Sequence, residues 1–244
     1  VCAGPDQACE AARAFGLFQE MLIALPGGRL AETIPFFHHT PRRFQALEKA
    51  AAEDKAGRRS RVTAELDFCL ARREMTGRIV DLIARGAIPE RITHNDTKLN
   101  NVMIDDRTQR ALCVIDLDTV MPGSILYDFG DMVRTFTPTA LEDEVDLSKV
   151  SMNIEIFRSL VKGYMESAIR FLKPSEVDNL VFAGKLITFT IGLRFLADYL
   201  AGDVYFKIKH PNHNLDRART QLKMVGEIER NEKEMERIVR DARG

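Results

Sequence analysis

Apolar residues recur three and four positions apart along most of this chain, and this spacing predicts helices. In the first helix the repeat runs through Ala11, Phe15, Phe18, Leu22 and Leu25. The same periodicity predicts further helices from Thr40 towards Gly57, from Ser60 to Ala84, from Leu147 to Phe171, from Pro174 to about Ala201 and from Leu215 to Ala242. Strands do not alternate with these helices, so the pattern excludes a doubly wound parallel sheet.

One segment interrupts the helical pattern. Val102–Ile104 and Ala111–Ile115 are short apolar runs, and the residues between them, Asp105–Arg110, are polar. Two apolar runs joined by a loop of about six residues predict a β-hairpin. We therefore expect a mainly α fold with a small β-hairpin, formed as one domain by residues 1–244.

The charge balance limits the partners of this chain. It has 35 Lys and Arg residues against 36 Asp and Glu residues, a formal net charge of −1, which excludes a broad basic surface for nucleic acid. The best candidate for a membrane span, Leu186–Ala197, is shorter than the ~20 residues that a bilayer requires and contains Arg194. The 4 cysteines form no Cys-x-x-Cys pair, which indicates reduced thiols. We expect a cytoplasmic protein without a nucleic-acid or membrane partner.

Residues with catalytic potential lie on both sides of the predicted hairpin. His94-Asn95-Asp96 is followed by Asn101 before the first strand, and Asp116 comes after the second strand. An antiparallel hairpin brings Asn101 and Asp116 to the same end. A carboxylate and an amide oxygen suit a hard cation such as Mg²⁺. Asp96 lies just before that end, where it can accept a proton from a substrate hydroxyl, with His94 as an orienting residue.

This spacing is typical of protein-kinase-like phosphotransfer, which uses an Asp base, an Asn metal ligand and a further Asp metal ligand after a hairpin. The tripeptide Asp128-Phe129-Gly130 spells a kinase metal-binding motif, but it lies beyond the hairpin. Hairpin geometry favours Asp116 as the metal ligand instead. For Asp128 we predict a structural role, in which its carboxylate holds amides of the catalytic loop by hydrogen bonds.

Three longer strings resemble a known family. They are THNDTKLNNVMID from Thr93, CVIDLDTVMPGSILYDFGD from Cys113 and GLRFLADYLAGDVYFK from Gly192. They resemble the aminoglycoside phosphotransferase and choline kinase-like family, and most closely its N-acetylhexosamine 1-kinase branch. The resemblance implies the C-terminal lobe of a protein-kinase-like α+β fold and ATP-dependent, Mg²⁺-dependent phosphorylation of a sugar or aminosugar hydroxyl. By position it implies Asp96 as base and Asn101 and Asp116 as Mg²⁺ ligands. Asp118 would assist at the metal or at the acceptor.

Kinases of this family also carry an N-terminal lobe of roughly a hundred residues, with a phosphate-covering loop and a Lys for the α- and β-phosphates. We recognise neither in this sequence, because Gly27-Gly28 follows a helix and predicts a helix end. We therefore expect residues 1–244 to form the C-terminal lobe, with the catalytic loop and metal-binding hairpin at 93–118. The N-terminal lobe is expected in the full-length protein. The sequence leaves open whether the isolated chain binds ATP or turns over.

A second group of residues is the candidate acceptor site. Arg194 and Asp198 lie one helical turn apart, where they form either a buried ion pair or a clamp for the acceptor sugar. Asp203 and Tyr205 follow in a loop, and the Tyr205 ring either stacks on a sugar face or packs against the core. All four residues are candidate substrate-binding residues.

Two other functions compete with the kinase hypothesis. Asp116-Leu117-Asp118 after a strand also resembles the nucleophile motif of haloacid-dehalogenase-like phosphatases. That reading requires an α/β sheet and leaves the residues from His94 to Asn101 without a role. The second alternative is a non-catalytic kinase lobe that binds a partner.

Overall fold

The computed structural model describes residues 2–27 and 29–243. The helices are α1 (Pro5–Ile23), α2 (Thr40–Glu53), α3 (Thr63–Leu70), α4 (Arg78–Ala84), α5 (Ile125–Phe136), α6 (Ile154–Ala168), α7 (Pro174–Val177), α8 (Leu180–Ala201) and α9 (His213–Ala242). The strands are β1 (Arg91–Thr93), β2 (Val102–Ile104), β3 (Ala111–Val114) and β4 (Met121–Gly123). The predicted mainly helical fold with a small hairpin is confirmed.

Helix α8 forms the centre of the core. It is apolar on all sides and packs against α2, α5 and α9. By length and composition alone it could cross a membrane, and it is longer than the apolar run Leu186–Ala197 predicted from the sequence. However, 83% of its most apolar window is buried inside this fold, which is the pattern of a core helix.

Helices α1 and α6 pack in close contact because small residues lie between them. At Gly163 of α6 a side chain would collide with the backbone carbonyl of Cys9, and at Gly16 of α1 it would collide with Ser167. The close approach fixes the position of α1 and directs Phe15 and Gln19, which are both buried, towards the loop after β1. Side chains of α1 thus contact the loop after β1 and the residues that hold it.

The strands form two separate antiparallel pairs. Strands β2 and β3 are the predicted hairpin, with Val102 opposite Val114. Strands β1 and β4 form a second pair, with Thr93 opposite Met121. The sequence analysis did not predict this pair, since three residues are too few to show an alternating pattern.

The structure corrects several predicted helix boundaries: the helix expected from Leu147 begins at Ile154, and the helix expected from Pro174 is interrupted between Val177 and Leu180. The helix expected over Ser60–Ala84 is divided, because a 3₁₀ turn at Arg73–Gly77 separates α3 from α4. Thr and Gly are poor helix formers, and the Thr76 hydroxyl donates a hydrogen bond to the Arg73 carbonyl, which stabilises the turn. The first helix ends at Ile23, and Gly28, part of its predicted end, lies outside the described residues.

Candidate active site

Asp96 lies in the loop after β1 and contacts two neighbouring side chains. Its Oδ2 accepts a hydrogen bond from Lys98 Nζ at 2.6 Å and from Asn101 Nδ2 at 3.1 Å. The Asp96 backbone carbonyl accepts a second bond from the same Asn101 amide group, at 2.8 Å. These contacts hold the carboxylate in one orientation and leave its Oδ1 available for another donor, such as a substrate hydroxyl.

Asn101 is buried, and its amide orientation follows from these two hydrogen bonds. Because Nδ2 donates to Asp96, Oδ1 faces away from that residue. An amide oxygen of this kind is a suitable ligand for a hard cation. Asn101 is the last residue of the 3₁₀ turn Leu99–Asn101, and β2 begins at the next residue.

Asp116 lies at the same end of the hairpin as Asn101. The backbone N–H of Ile115 donates to the Asn101 carbonyl at 2.9 Å and extends the β2–β3 ladder by one bond. Asp116 itself has φ 62°, in the left-handed region that Asp tolerates better than most residues. This conformation ends β3 and leaves the carboxylate half-exposed, with Lys98 Nζ 3.8 Å from its Oδ2. Lys98 therefore lies between the two carboxylates of Asp96 and Asp116.

His94 is fully buried beneath this loop, between the rings of Phe15 and Phe18. Its Nε2 donates to the carbonyl of Ile115 at 2.9 Å. This bond leaves Nδ1 as an acceptor, and Nδ1 accepts the backbone N–H of Asp96 at 3.3 Å. The imidazole thus links the catalytic loop to the end of the hairpin and does not project towards solvent.

Asp128 is also fully buried, and its carboxylate holds the backbone of the same loop. Its Oδ2 accepts the backbone N–H of His94 at 3.0 Å, and its Oδ1 accepts that of Asn95 at 2.7 Å. Burial raises the pKa of the Asp128 carboxyl, and the donors oppose this effect. The side-chain amide of Gln19 donates a third bond to Oδ2 at 2.8 Å and accepts one from the hydroxyl of Tyr164.

The Asp-Phe-Gly tripeptide that contains Asp128 lies in the first turns of α5. Gly130 of this tripeptide packs against α8, where a side chain would collide with the Ala183 carbonyl. The tripeptide thus serves helix packing here, and its Asp lies behind the catalytic loop.

The ligand set at the hairpin end fits Mg²⁺. Within residues 2–27 and 29–243, no group of three or more His, Cys, Asp and Glu side chains is close enough to hold a metal ion. The protein instead offers one carboxylate, from Asp116, and one amide oxygen, from Asn101. Mg²⁺ commonly uses one or two protein oxygens and completes its shell with water and substrate phosphates. Asp118 is exposed in the 3₁₀ turn that follows Asp116, and the structure does not assign it a ligand role.

The predicted acceptor residues lie at the C-terminal end of α8, beside a cavity of about 290 Å³. Tyr205 is 69% exposed, and its ring lies 5.7 Å from the Arg194 guanidinium. Both residues line the cavity, which lies between α2, α8 and the loop after α8. Other lining residues are Arg43, Ala46, Asp198 and Phe206.

Asp198 and Asp203 have structural partners instead. The Asp198 carboxylate accepts the backbone N–H groups of residues 204–206, at 2.8 to 2.9 Å, and the Asn214 side chain. Asp203 is 3% exposed at its side chain and pairs with Arg58 and Asn214. Of the two alternatives for Arg194 and Asp198, the buried ion pair is not formed in the described part of the chain, and the Asp203 carboxylate is engaged by Arg58 and Asn214. Both carboxylates shape the loop that carries Tyr205.

Comparison with known proteins shows the family of this chain. The sequence matches the phosphotransferase enzyme family over residues 3–151, a span that includes the catalytic loop and the hairpin. The chain belongs to this family. A solved structure of an aminoglycoside phosphotransferase with ADP bound is similar at a TM-score of 0.45 and 14% identity, over 91% of this chain and 65% of that one. The chain thus spans about two thirds of that protein's length.

Membership of the phosphotransferase family removes the support for the phosphatase alternative. That alternative requires strands in a parallel sheet, whereas the strands in the described part of the chain form two antiparallel pairs. Asp116 lies at the end of an antiparallel hairpin, next to Lys98 and beside the strand that begins after Asn101.

Sequence reasoning missed three residues of the site. Lys98 is two positions from Asp96, and this short spacing was the available signal. Gln19 and Arg43 lie far from the motif in sequence, on α1 and α2, so only the folded chain brings them to the site.

Proposed function

We propose that this protein is an ATP- and Mg²⁺-dependent phosphotransferase that acts on a sugar hydroxyl, with an N-acetylhexosamine as the acceptor. The observation that carries the proposal is the convergence of Asp96, Asn101 and Asp116 at one end of the hairpin, with Lys98 between the carboxylates. A base beside an oxygen ligand pair is the minimum that phosphoryl transfer to a hydroxyl requires.

Each residue has a distinct role in this proposal. Asp96 accepts the proton of the acceptor hydroxyl as it attacks the γ-phosphate. Asn101 holds the Asp96 carboxylate through Nδ2 and offers Oδ1 to the metal, while Asp116 supplies the second protein ligand. Asn101 and Asp116 would hold Mg²⁺, which would supply positive charge against the charge of the phosphates. His94 and Asp128 keep the backbone of the loop in place.

The nucleotide would lie over the exposed apolar surface near Asp116. Met103 and Leu112 of the hairpin are 50% and 62% exposed, and Met21 of α1 is 70% exposed. Met103 and Leu112 lie on the two strands of the hairpin that ends at Asp116, and large exposed apolar side chains of this kind are typical of surfaces that another group covers. We propose that the adenine and the N-terminal lobe of the full-length protein cover this surface.

Arg194 and Tyr205 are the proposed contacts to the acceptor sugar. A guanidinium donates to sugar hydroxyls in a fixed geometry, and an exposed Tyr ring offers a flat face for stacking. A cytoplasmic location remains part of the proposal, and the four cysteines, all of which are free, support it.

The proposal is tested by incubating the full-length protein with ATP, Mg²⁺ and a panel of N-acetylhexosamines, other sugars, aminoglycosides and choline. Formation of ADP and of the phosphorylated acceptor is measured by mass spectrometry. Asp96→Asn should lower kcat by at least ~100-fold, the usual scale for loss of a general base. Asp106→Asn, which alters an exposed Asp in the hairpin turn, is the matched control and should have normal activity.

Near-normal turnover in the Asp96→Asn protein would contradict the assigned base. Absence of phosphoryl transfer to every acceptor, with folded protein and bound nucleotide, would favour the non-catalytic alternative. Transfer to choline or aminoglycosides alone would keep the phosphotransferase reaction and replace the proposed acceptor.

A further inference from the structure

Two arginines line the cavity beside α8. Arg43 comes from α2 and Arg194 from α8, and both line the cavity of about 290 Å³. Arg43 donates to the backbone carbonyls of Phe36 and Phe37. The Arg194 guanidinium lies over the ring of Phe37, 5.3 Å from its centroid. Both side chains are partly buried, so their charges are only partly solvated.

The acidic residues of this cavity do not balance these charges. Both oxygens of Asp198 are occupied by backbone N–H groups and by Asn214. Glu53 lies near Lys49 and Lys55, at 3.8 and 3.2 Å. Within residues 2–27 and 29–243, no carboxylate lies within 4.0 Å of the Arg43 or Arg194 guanidinium. The cavity therefore carries two uncompensated positive charges.

Such an arrangement costs free energy unless an anion enters. Desolvation and repulsion both oppose two partly buried like charges. Burial, and then the charge of Arg43, lower the pKa of Arg194. The aromatic rings around Arg194 offset a part of this cost through cation–π contacts. A neutral sugar needs only neutral hydrogen-bond partners, whereas a carboxylate or phosphate would neutralise both guanidinium groups at once.

The cavity is connected to the catalytic loop through the segment before α2. Phe37 packs under Arg194, and the next residue, His38, donates from Nε2 to the carbonyl of Asn95 at 2.9 Å. Asn95 directly precedes Asp96. The residue next to Phe37 is thus joined by one hydrogen bond to the backbone beside the base.

We propose that the acceptor carries an anionic group, a carboxylate or a phosphate, that binds between Arg43 and Arg194. Its hydroxyl is then the group presented to Asp96, and this part of the inference rests on the proposed function. The two positive charges also oppose binding of a polycationic aminoglycoside, since like charges repel.

The test uses calorimetric titration of the full-length protein with a matched set of sugars. These are N-acetylglucosamine, its 6-phosphate, its 3-O-lactyl ether, which adds a carboxylate, and glucosamine, with inorganic phosphate as a further probe. We expect at least one acidic derivative to bind about tenfold or more tightly than the neutral parent, because charge-assisted hydrogen bonds are the stronger kind. The phosphate and carboxylate arms distinguish the two anion sources.

Arg43→Gln and Arg194→Gln should each weaken binding of the acidic sugar by about 10- to 100-fold and weaken binding of the neutral sugar by less, so that each variant loses the preference for the acidic sugar. Arg42→Gln is the matched control, because Arg42 is the exposed neighbour of Arg43 on the same helix. Thermal melting of each variant reports on folding, and Arg43→Gln, on a different helix, provides the second variant if Arg194→Gln does not fold.

Equal affinity for neutral and acidic sugars, or an equal loss in the Arg42→Gln protein, would overturn this inference. Phosphoryl transfer is measured separately with ATP and Mg²⁺. Transfer to the neutral sugar without any preference for the acidic forms would keep the proposed function and refute the anion site. Anion-selective binding that depends on both arginines, without transfer, would keep the anion site and refute the proposed function.

Discussion

The side-chain amide of Gln19 donates a 2.8 Å hydrogen bond to Oδ2 of Asp128, and both groups are buried. Asp128 in turn accepts the backbone N–H groups of His94 and Asn95. The hydroxyl of Tyr164, on α6, donates to the other end of the Gln19 amide at 2.7 Å. Packing between α1 and α6 is thereby connected to the backbone of the catalytic loop.

We expect Gln19→Leu to lower both stability and turnover. The substitution leaves the Tyr164 hydroxyl and one Asp128 lone pair without their partner in a buried site. An unmet buried polar group costs about 1–3 kcal/mol, so the free energy of unfolding should fall by about that amount. Tyr164→Phe removes only the hydrogen bond from the Tyr164 hydroxyl to Gln19, and it should lower the free energy of unfolding by about 1 kcal/mol.

The measurement is urea unfolding of both variants, together with kcat at saturating substrate. Because Gln19 acts on Asp96 only through the loop, kcat should fall while the pH profile of turnover keeps its shape. Unchanged stability in Gln19→Leu would show that this bond does not hold the loop.

The local parts of the fold followed from the sequence, and the long-range parts did not. The hairpin was predictable because its two strands lie within a dozen residues of each other, and this placed Asn101 beside Asp116. The β1–β4 pair joins strands nearly thirty residues apart, each only three residues long, and such short runs carry no periodic signal. The division between α3 and α4 depends on a single turn around Thr76.

The same distinction applies to the site. His94, Asp96 and Asn101 lie in one motif, so their spacing indicated the chemistry. Asp198 and Asp203 have the residue type of a substrate contact. Their carboxylates instead bind loop amides, Arg58 and Asn214, and the spacing of residues along the sequence does not reveal these partners.

Asp116→Ala and Asp118→Ala should separate the two acidic residues of the hairpin end. Asp116 lies beside Asn101, so its loss removes the one carboxylate of the proposed metal site, and Mg²⁺-dependent nucleotide affinity should be abolished. Asp118 is exposed in the next turn, and its loss should weaken that affinity less than tenfold. Nucleotide affinity is measured by calorimetry with and without Mg²⁺. An equal loss of Mg²⁺-dependent nucleotide affinity in both variants would indicate that Asp118 contributes to metal binding as much as Asp116 does.

Lys98→Met should have opposite effects on turnover and on metal affinity. Lys98 Nζ lies 2.6 Å from Asp96 Oδ2, so its loss should loosen the base and lower kcat by about tenfold, the scale of one charge-assisted hydrogen bond. The same ammonium lies 3.8 Å from Asp116 Oδ2 and opposes a cation there. Removing it should lower the Mg²⁺ concentration for half-maximal nucleotide binding several-fold, since the groups are partly solvated.

A Mg²⁺ titration of nucleotide binding, next to steady-state kinetics, checks both effects. Lys233→Met, on an exposed position of α9, is the control and should change neither value. A higher Mg²⁺ requirement in Lys98→Met would contradict the proposed competition between the ammonium and the metal.

The stability of the wild-type protein should fall below neutral pH in part because of His38. Burial lowers the pKa of His38 to about 4, from 6.5 when exposed, and its Nδ1 has no hydrogen-bond partner in the described part of the chain. The unfolded state therefore binds this proton more readily than the folded state between these pH values. Stability from the neutral imidazole is present above pH 6.5 and is lost as the pH falls towards 4, by about 3 kcal/mol in total.

His38→Gln retains an N–H donor for the Asn95 carbonyl and cannot titrate, so its unfolding free energy should fall less between pH 7.5 and pH 5. Urea unfolding at both pH values gives the comparison, with exposed His210→Gln as the control, and parallel pH dependence of wild type and His38→Gln would refute the role of His38.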